Sequence, residues 1–226
     1  MKICALCYAG CTKFVFIDNF VINDSNYKII RRFHWLVYAG METSTLYAPL
    51  AQALRTEIKF LRTKPIETQK RLLNKLSYFH GKEFKQGTVA KCTKEGAKVI
   101  QEAIGVLKSA SGGLTFDDQD THVSLSLAAQ DHAAYIGSAG LVSHTGINGT
   151  LPHERIEQYA KWILATGEVI WYGTIDFSDK FEHLAQNIID DLFVDDGVAS
   201  RGHRLGWFLH IPLLYPCISP HDHCIC

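Results

Sequence analysis

Hydrophobic residues recur at a helical spacing in several segments of the chain. After Thr45 they return every three or four positions as far as Leu61, and Pro65 follows as a stop signal. The same spacing runs through residues 124–136 and 178–192. Each of these stretches predicts an amphipathic helix. A further helix is predicted at residues 93–107, with Thr93 as its N-cap, and two short helices are predicted at residues 72–76 and 152–162.

The helix predicted at residues 124–136 has one side rich in small residues, which would let another element approach closely. The residues assigned to that side are Leu125, Leu127, Ala128, Ala129, His132, Tyr135 and Ile136. We therefore expect Leu127 to be buried, together with Ile188 on the helix predicted at residues 178–192.

Strand signals are fewer. Residues 169–172 are β-branched or aromatic and lie between Gly167 and Gly173, which predicts a short strand. Residues 14–17 and 35–38 show similar runs. Since helices are predicted on both sides of a strand, the expected fold class is a layered α/β domain.

Composition excludes several classes of protein. The chain has 226 residues, of which 47% are hydrophobic and 20% charged, as in an ordinary globular domain rather than a disordered or fibrous chain. Lys plus Arg equals Asp plus Glu at 23 each, so no long-range positive field favours nucleic acid. No apolar run approaches the length of a transmembrane helix. The partner is therefore expected to bind at a local site.

The seven cysteines crowd the two ends of the chain, with Cys92 alone in between, so they do not form an obvious disulfide framework. Residues 3–10 form a short apolar run after Lys2, as in a signal peptide. Lys13 interrupts the apolar sequence, however, and a buried strand or a tail explains it equally well. The sequence alone therefore leaves secretion open.

Three polar residues lie in segments predicted to be loops or strand ends: His144, Glu168 and His203. Two imidazoles and a carboxylate would suit a zinc or copper site, or a general-base site, if folding brought them together. An isolated loop histidine is more often structural, and the spacing alone does not decide between these interpretations.

A second candidate metal site lies at the C-terminal end. Its possible ligands are His221, His223, Cys224 and Cys226, with Cys4 and Cys7 as separated partners. Tetrahedral zinc sites usually draw on two separated ligand pairs. A tail that binds no metal is the alternative.

Four blocks of sequence, in one order, resemble the CAP superfamily of SCP-like domains, in particular its short bacterial and protist branch. This superfamily includes the cysteine-rich secretory proteins, antigen 5 and the plant pathogenesis-related proteins. The blocks are AAQDH at 128–132, GLVSHTG at 140–146 with NG at 148–149 and Pro152 to Arg155, GEVIWYG at 167–173, and VDDGVASRGHR at 194–204. Together they are more specific than any single motif.

The resemblance implies a three-layer α-β-α sandwich with a cleft that holds two histidines and two acidic residues. His144 and His203 match the family histidines, and Glu168 matches one acid. Asp195 would hold the fourth position, with Leu192 where the family has tryptophan. The two histidines would bind Zn²⁺ or another divalent metal ion. The implied CAP domain covers residues 45–204.

The chain departs from the family in two places. Val169 replaces the asparagine that follows the family glutamate. Residues 205–226 form a divergent tail where the family supplies further strands, so we expect a sheet truncated or altered at its C-terminal part, with at most one strand at 205–214. Residues 1–44 form an N-terminal extension to which the sequence assigns no role.

The resemblance implies an extracellular, non-enzymatic module that binds a protein, peptide or lipid. The alternative is a metal-dependent hydrolase in which His144 and His203 hold zinc and Glu168 acts as general base. The sequence offers no clear nucleophile motif that would decide for an enzyme.

Overall fold

The chain contains groups of strands separated by groups of helices. The computed structural model describes residues 12–22, 29–37, 44–87, 89–110, 123–159, 161, 165–175 and 179–208. Within these ranges the strands are β1 (Thr12–Ile22), β2 (Ile29–Val37), β3 (Phe79–His80), β4 (Glu83–Gln86), β5 (Val89–Cys92) and β6 (Ala165–Ile175). The helices are α1 (Ser44–Thr63), α2 (Pro65–Leu76), α3 (Ala97–Ser109), α4 (Val123–Ala139), α5 (Pro152–Glu157), α6 (Phe181–Val194) and α7 (Gly202–Phe208). The expected mixture of helix and strand is confirmed.

The chain divides into two compact units. Unit 1 takes Met1–Ala53 and Asp120–Ala185, and unit 2 takes Leu54–Gln119 and Gln186–Cys226. Each unit therefore combines two separate stretches of the chain.

Unit 1 is built on an antiparallel sheet in the order β2-β1-β6. β1 pairs with β6 along its whole length, from Thr12 opposite Ile175 to Ile22 opposite Ala165. Its other edge pairs with β2. The N-terminal residues to which the sequence assigned no role thus supply two strands to the sheet that contains the glycine-flanked strand predicted at residues 169–172.

Helix α4 contacts β1 and β2 and carries much of the core of unit 1. Ala129, Ala133 and Ile136 pack with Ile170 of β6, and Leu125 and Ala128 pack with Ile156 of α5. The expected burial of Leu127 is wrong: its side chain is 38% exposed. At 100° per residue, position 127 lies on the face opposite the stripe 125-128-129-133-136, so its side chain points away from the core that this stripe contacts.

Unit 2 contains a three-stranded antiparallel sheet, β3-β4-β5, and the contacting helices α2 and α3. Its fully buried side chains include Leu54, Ile58, Leu61 and Leu72, with Ala103 and Leu107 from α3. Ile188 is buried as expected. Pro65 stops α1 and also begins α2, because proline lacks only an amide hydrogen that the first helical turn does not use.

The structure corrects two expectations about element boundaries. Residues 205–208 belong to helix α7, so the strand expected at 205–214 is wrong for that part, and the remainder lies outside the described residues. Helix α3 begins at Ala97, after Gly96, and not after Thr93. The Thr93 hydroxyl instead accepts a hydrogen bond from the Gly96 amide, 3.2 Å away.

None of the described helices combines the length and the apolar character that a bilayer span requires. The signal-peptide candidate at residues 2–10 and the cysteine and histidine cluster at residues 221–226 lie outside the described residues.

Candidate functional site: two histidine–carboxylate pairs

In unit 1, the loop that follows α4 places His144 beside Glu168 of β6. The distance from His144 Nδ1 to Glu168 Oε1 is 2.9 Å. The carboxylate is buried, with 1% of its side chain exposed, whereas the imidazole is 30% exposed. Because an ionised carboxylate only accepts hydrogen bonds, Nδ1 carries the proton and donates it. In the neutral imidazole, the second ring nitrogen, Nε2, then keeps its lone pair.

Arg155 of α5 neutralises the buried Glu168. Its Nη2 donates to both carboxylate oxygens, at 2.9 and 2.7 Å, and its Nη1 donates to the Thr150 carbonyl at 2.8 Å. Both side chains are buried, so the pair is shielded from solvent. Glu168 is therefore held in place before any ligand binds.

Two further side chains hold the backbone just before His144. His132 Nε2 donates to the Ser143 carbonyl at 2.9 Å, and the Tyr172 hydroxyl accepts from the Ser143 amide at 2.9 Å. Burial raises the pKa of Tyr172 to about 12, so its hydroxyl stays protonated. The loop is thus fixed on both sides of Ser143, which orients the next residue, His144.

His132 is buried and neutral. Burial is the main cause of the lowering of its pKa, because the charged imidazolium would lose hydration. Its Nδ1 makes no hydrogen bond with any described residue. Glu168 Oε1 lies 3.7 Å from its Nε2, so His132 also faces the carboxylate.

In unit 2, Asp195 and His203 form a second pair. The distance from His203 Nδ1 to Asp195 Oδ1 is 2.7 Å, and the His203 amide donates to Asp195 Oδ2 at 3.1 Å. The Asp195 side chain is 1% exposed and that of His203 is 21% exposed. The arrangement repeats that of His144 and Glu168: a buried carboxylate accepts from Nδ1, and Nε2 keeps its lone pair in the neutral ring.

The segment between α6 and α7 adopts an unusual backbone conformation. Asp195 and Arg201 have φ values of 61° and 53°, in the left-handed region, which is costly for residues other than glycine. Arg201 stabilises the segment, because its Nη1 donates to the carbonyls of Asp195 and Val198 at 3.0 and 2.9 Å. This conformation aims the Asp195 carboxylate at His203.

Acidic residues of unit 2 hold that arginine in turn. Arg201 donates to both oxygens of Glu95 at 2.7 Å and also contacts Glu102. Hydrogen bonds from Arg201, and a further one from the Gly197 amide, lower the pKa of Glu95 to about 2. Arg204 caps α6 by donating to the carbonyls of Phe193 and Val194. The loop is therefore fixed by a network of ion pairs.

The structure thus brings the four residues implied by the resemblance into two pairs, His144 with Glu168 and His203 with Asp195, each within its own unit. Val169, at the position where the resemblance would place an asparagine, is buried next to Glu168 in β6. Within the described ranges, no three His, Cys, Asp or Glu side chains lie together as a metal-binding group. Each pair by itself offers a metal one imidazole nitrogen.

Sequence reasoning did not assign site roles to Arg155, His132, Tyr172 or Arg201. A signal was present for His132, which follows Ala128 and Ala129 at the spacing of one buried helix face. A buried polar residue on such a face needs a partner, and the loop carbonyl at Ser143 provides it. Nothing in the local sequence pairs Arg155 with Glu168, since that contact depends on the folded chain.

Comparisons of the chain with protein-family models, with curated proteins and with solved structures find no match.

Proposed function

We propose that this protein is a CAP-type binding module, not an enzyme, in which His144 and His203 serve as metal-binding imidazoles. The proposal includes the three-layer α-β-α sandwich and the extracellular location that the resemblance implies. Its ligand would be a protein, a peptide or a lipid.

One observation supports this function above all: each of the two histidines donates Nδ1–H to a buried carboxylate. Metal-binding histidines typically have such an outer partner, which fixes the ring and its tautomer and makes the other nitrogen a better ligand. Zn²⁺ and other late first-row divalent ions accept neutral imidazole nitrogens readily. When bound, such an ion would supply a positive charge that attracts a ligand's carbonyl or carboxylate.

The hydrolase alternative has less support, because Glu168 is poorly suited to act as a general base. A general base must reach the proton of a bound water, and both Glu168 oxygens already accept hydrogen bonds from Arg155. The carboxylate is also buried, with 1% of its side chain exposed. Its geometry suits the positioning of His144.

Calorimetric titration with Zn²⁺ tests the proposal. The parent should bind Zn²⁺, and His144→Ala and His203→Ala should each weaken binding by about tenfold or more, equivalent to about 1.4 kcal/mol. Affinity should fall as the pH is lowered, because protonated imidazole cannot bind a metal. His183→Ala is the matched control, since His183 is an exposed histidine paired with Asp179 on the surface.

Equal zinc affinity in the parent and in both site variants would refute the metal-binding part of the proposal. The hydrolase would be favoured over the binding module by turnover of peptide or ester substrates. That turnover should be abolished by chelators, and it should be lost in a Glu168→Gln variant that keeps its fold.

A further inference from the structure

Unit 1 contains an open groove of about 590 Å³ between α4 and the segment that leads into and through α5. This volume is within the range of about 300–1,000 Å³ that is typical of ligand sites. Its lining includes Asp131, Ala134 and Tyr135 from α4 and Ile147, Asn148 and Gln158 from the opposite side. His144 and Glu168 do not line it, although Arg155 and His132, which face Glu168, do, so the groove adjoins the His144–Glu168 pair without including it.

We propose that this groove binds an extended peptide that carries a basic side chain next to an aliphatic one. The inference depends on the proposed binding function, but not on a metal. It is supported by the charge of the groove, by its polar groups and by its apolar wall.

The charge of the groove favours a cation. Two charged residues line it, Asp131 and Arg155. The Arg155 guanidinium already faces the carboxylate of Glu168. Asp131 is exposed, and its contact is the neutral hydroxyl of Tyr159. A Lys or Arg of the ligand would therefore complement Asp131, and the ring of Tyr135 beside it can also attract a cation.

The polar groups of the groove suit a peptide backbone better than an acyl chain. The side-chain amides of Asn148 and Gln158 each offer a donor and an acceptor, and neither hydrogen-bonds to a described residue. An extended peptide presents alternating N–H and C=O groups that can pair with such amides. A lipid tail would cover them without providing partners, which is unfavourable.

The apolar part of the groove has room for an aliphatic side chain. Ile147 is 55% exposed, and the small side chain of Ala134 leaves space on the α4 wall. The segment from Gly140 to Pro152 contains no charged residue. Burial of a ligand's Leu, Ile or Val against this surface would be favourable.

The walls of the groove are ordered before a ligand binds. Arg155 ties α5 to the Thr150 carbonyl, and His132 ties α4 to the Ser143 carbonyl. The segment that carries Asn148 has a left-handed backbone at that residue, with a φ of 55°. Such preorganisation reduces the entropy cost of binding.

A displayed library of random peptides of about seven residues, roughly 24 Å when extended, tests the inference. The library is selected on the full chain in EDTA, and the enriched peptides are synthesised for fluorescence anisotropy. They should carry Lys or Arg beside an aliphatic residue. Ala134→Trp should fill the groove and weaken their binding by about tenfold or more. Ala139→Trp is the matched control, because Ala139 is exposed on the same helix but does not line the groove.

The charge argument has its own test. Asp131→Lys should weaken binding of the basic peptides by about tenfold and select acidic ones instead. Peptides that bind Ala134→Trp and the parent equally, or selection without enrichment of any sequence, would overturn the inference. A third contrary outcome would be that Ala134→Trp abolishes binding of the protein to phosphatidylcholine vesicles but does not affect the binding of any peptide. The groove would then be assigned to lipid.

The same measurements separate this inference from the metal-binding proposal. Peptide binding should survive in EDTA. If the parent protein binds the peptides but does not bind zinc, only the metal site is refuted. Retained zinc binding without any peptide binding would refute only the groove.

Discussion

The two histidine–carboxylate pairs look alike but are neutralised differently. In unit 1, Glu168 faces the permanent positive charge of Arg155 as well as His144. In unit 2, Asp195 accepts from His203 through both the ring and the backbone amide, while Arg201 donates to the Asp195 carbonyl. The first carboxylate therefore depends on a buried cation, and the second depends on a local hydrogen-bonded turn.

This difference determines how each pair responds to the loss of a charge. A guanidinium always donates, so it cannot adapt when its acceptor becomes an amide. A histidine can move its proton to the other ring nitrogen and become an acceptor at Nδ1. We therefore expect the His144–Glu168 pair of unit 1 to be sensitive to substitutions that remove a charge. The His203–Asp195 pair of unit 2 should tolerate such substitutions better.

The largest expected effect is that of Arg155→Met. The substitution keeps an unbranched side chain but leaves Glu168 buried without its cation, which should reduce the free energy of unfolding by about 3–5 kcal/mol. Urea denaturation at neutral pH measures this. The double variant Arg155→Met/Glu168→Gln should recover part of the loss, because it removes both charges. A single variant within about 1 kcal/mol of the parent would show that Arg155 is not needed to neutralise Glu168.

A smaller effect is expected at Asp195. Asn tolerates a left-handed backbone and keeps an acceptor, so Asp195→Asn should cost about 1 kcal/mol or less, while Asp195→Ala should cost about 2 kcal/mol. Glu168→Gln should cost more than Asp195→Asn, because Arg155 cannot change from donor to acceptor. The same denaturation experiment measures the free energy of unfolding of the three variants. A larger loss in Asp195→Asn than in Glu168→Gln would contradict the comparison of the two pairs.

The smallest expected effects are those of pH, and they occur in different ranges in the two units. The pKa of His132 is lowered from 6.5, so the folded state binds this proton more weakly than the unfolded state. Its contribution to stability should be complete above pH 6.5 and should be lost as the pH falls further. Glu95, with a pKa lowered from 4.5 to about 2, should contribute above pH 4.5 and lose that contribution towards pH 2.

Denaturation curves recorded across this pH range check both expectations. His132→Leu should make the free energy of unfolding less dependent on pH just below pH 6.5. Glu95→Gln should have the same effect below pH 4.5. If either variant kept the parent's pH dependence in its range, another group would be responsible.

The longest helices could be predicted from the sequence because their apolar stripes repeat over several turns. α1 and α6 follow from that spacing, and Pro65 marks a true boundary. The strands β3, β4 and β5 were missed because each is short and Phe84 is the buried apolar residue of β4. Gly81 and Gly87, both with positive φ, were the available turn signals.

The site could be predicted only in part. The loop and strand-end pattern already indicated His144, Glu168 and His203, and the resemblance added Asp195. Their pairing into two hydrogen-bonded sets requires the folded chain. The partners that hold them are even less visible in sequence. Arg155 follows an ordinary helix start at Pro152, and no local pattern predicts that it reaches across to a strand.

The pairing of β1 with β6 has a consequence for the time course of synthesis. β6 emerges from the ribosome roughly 150 residues after β1, which is on the order of 10–30 s at normal elongation rates. Throughout this interval β1, rich in Phe, Val and Ile, has one edge without its final partner. Nascent chains of this protein should therefore need a chaperone that shields that edge, and the speed of translation between the two strands should influence how much of the protein reaches its native state.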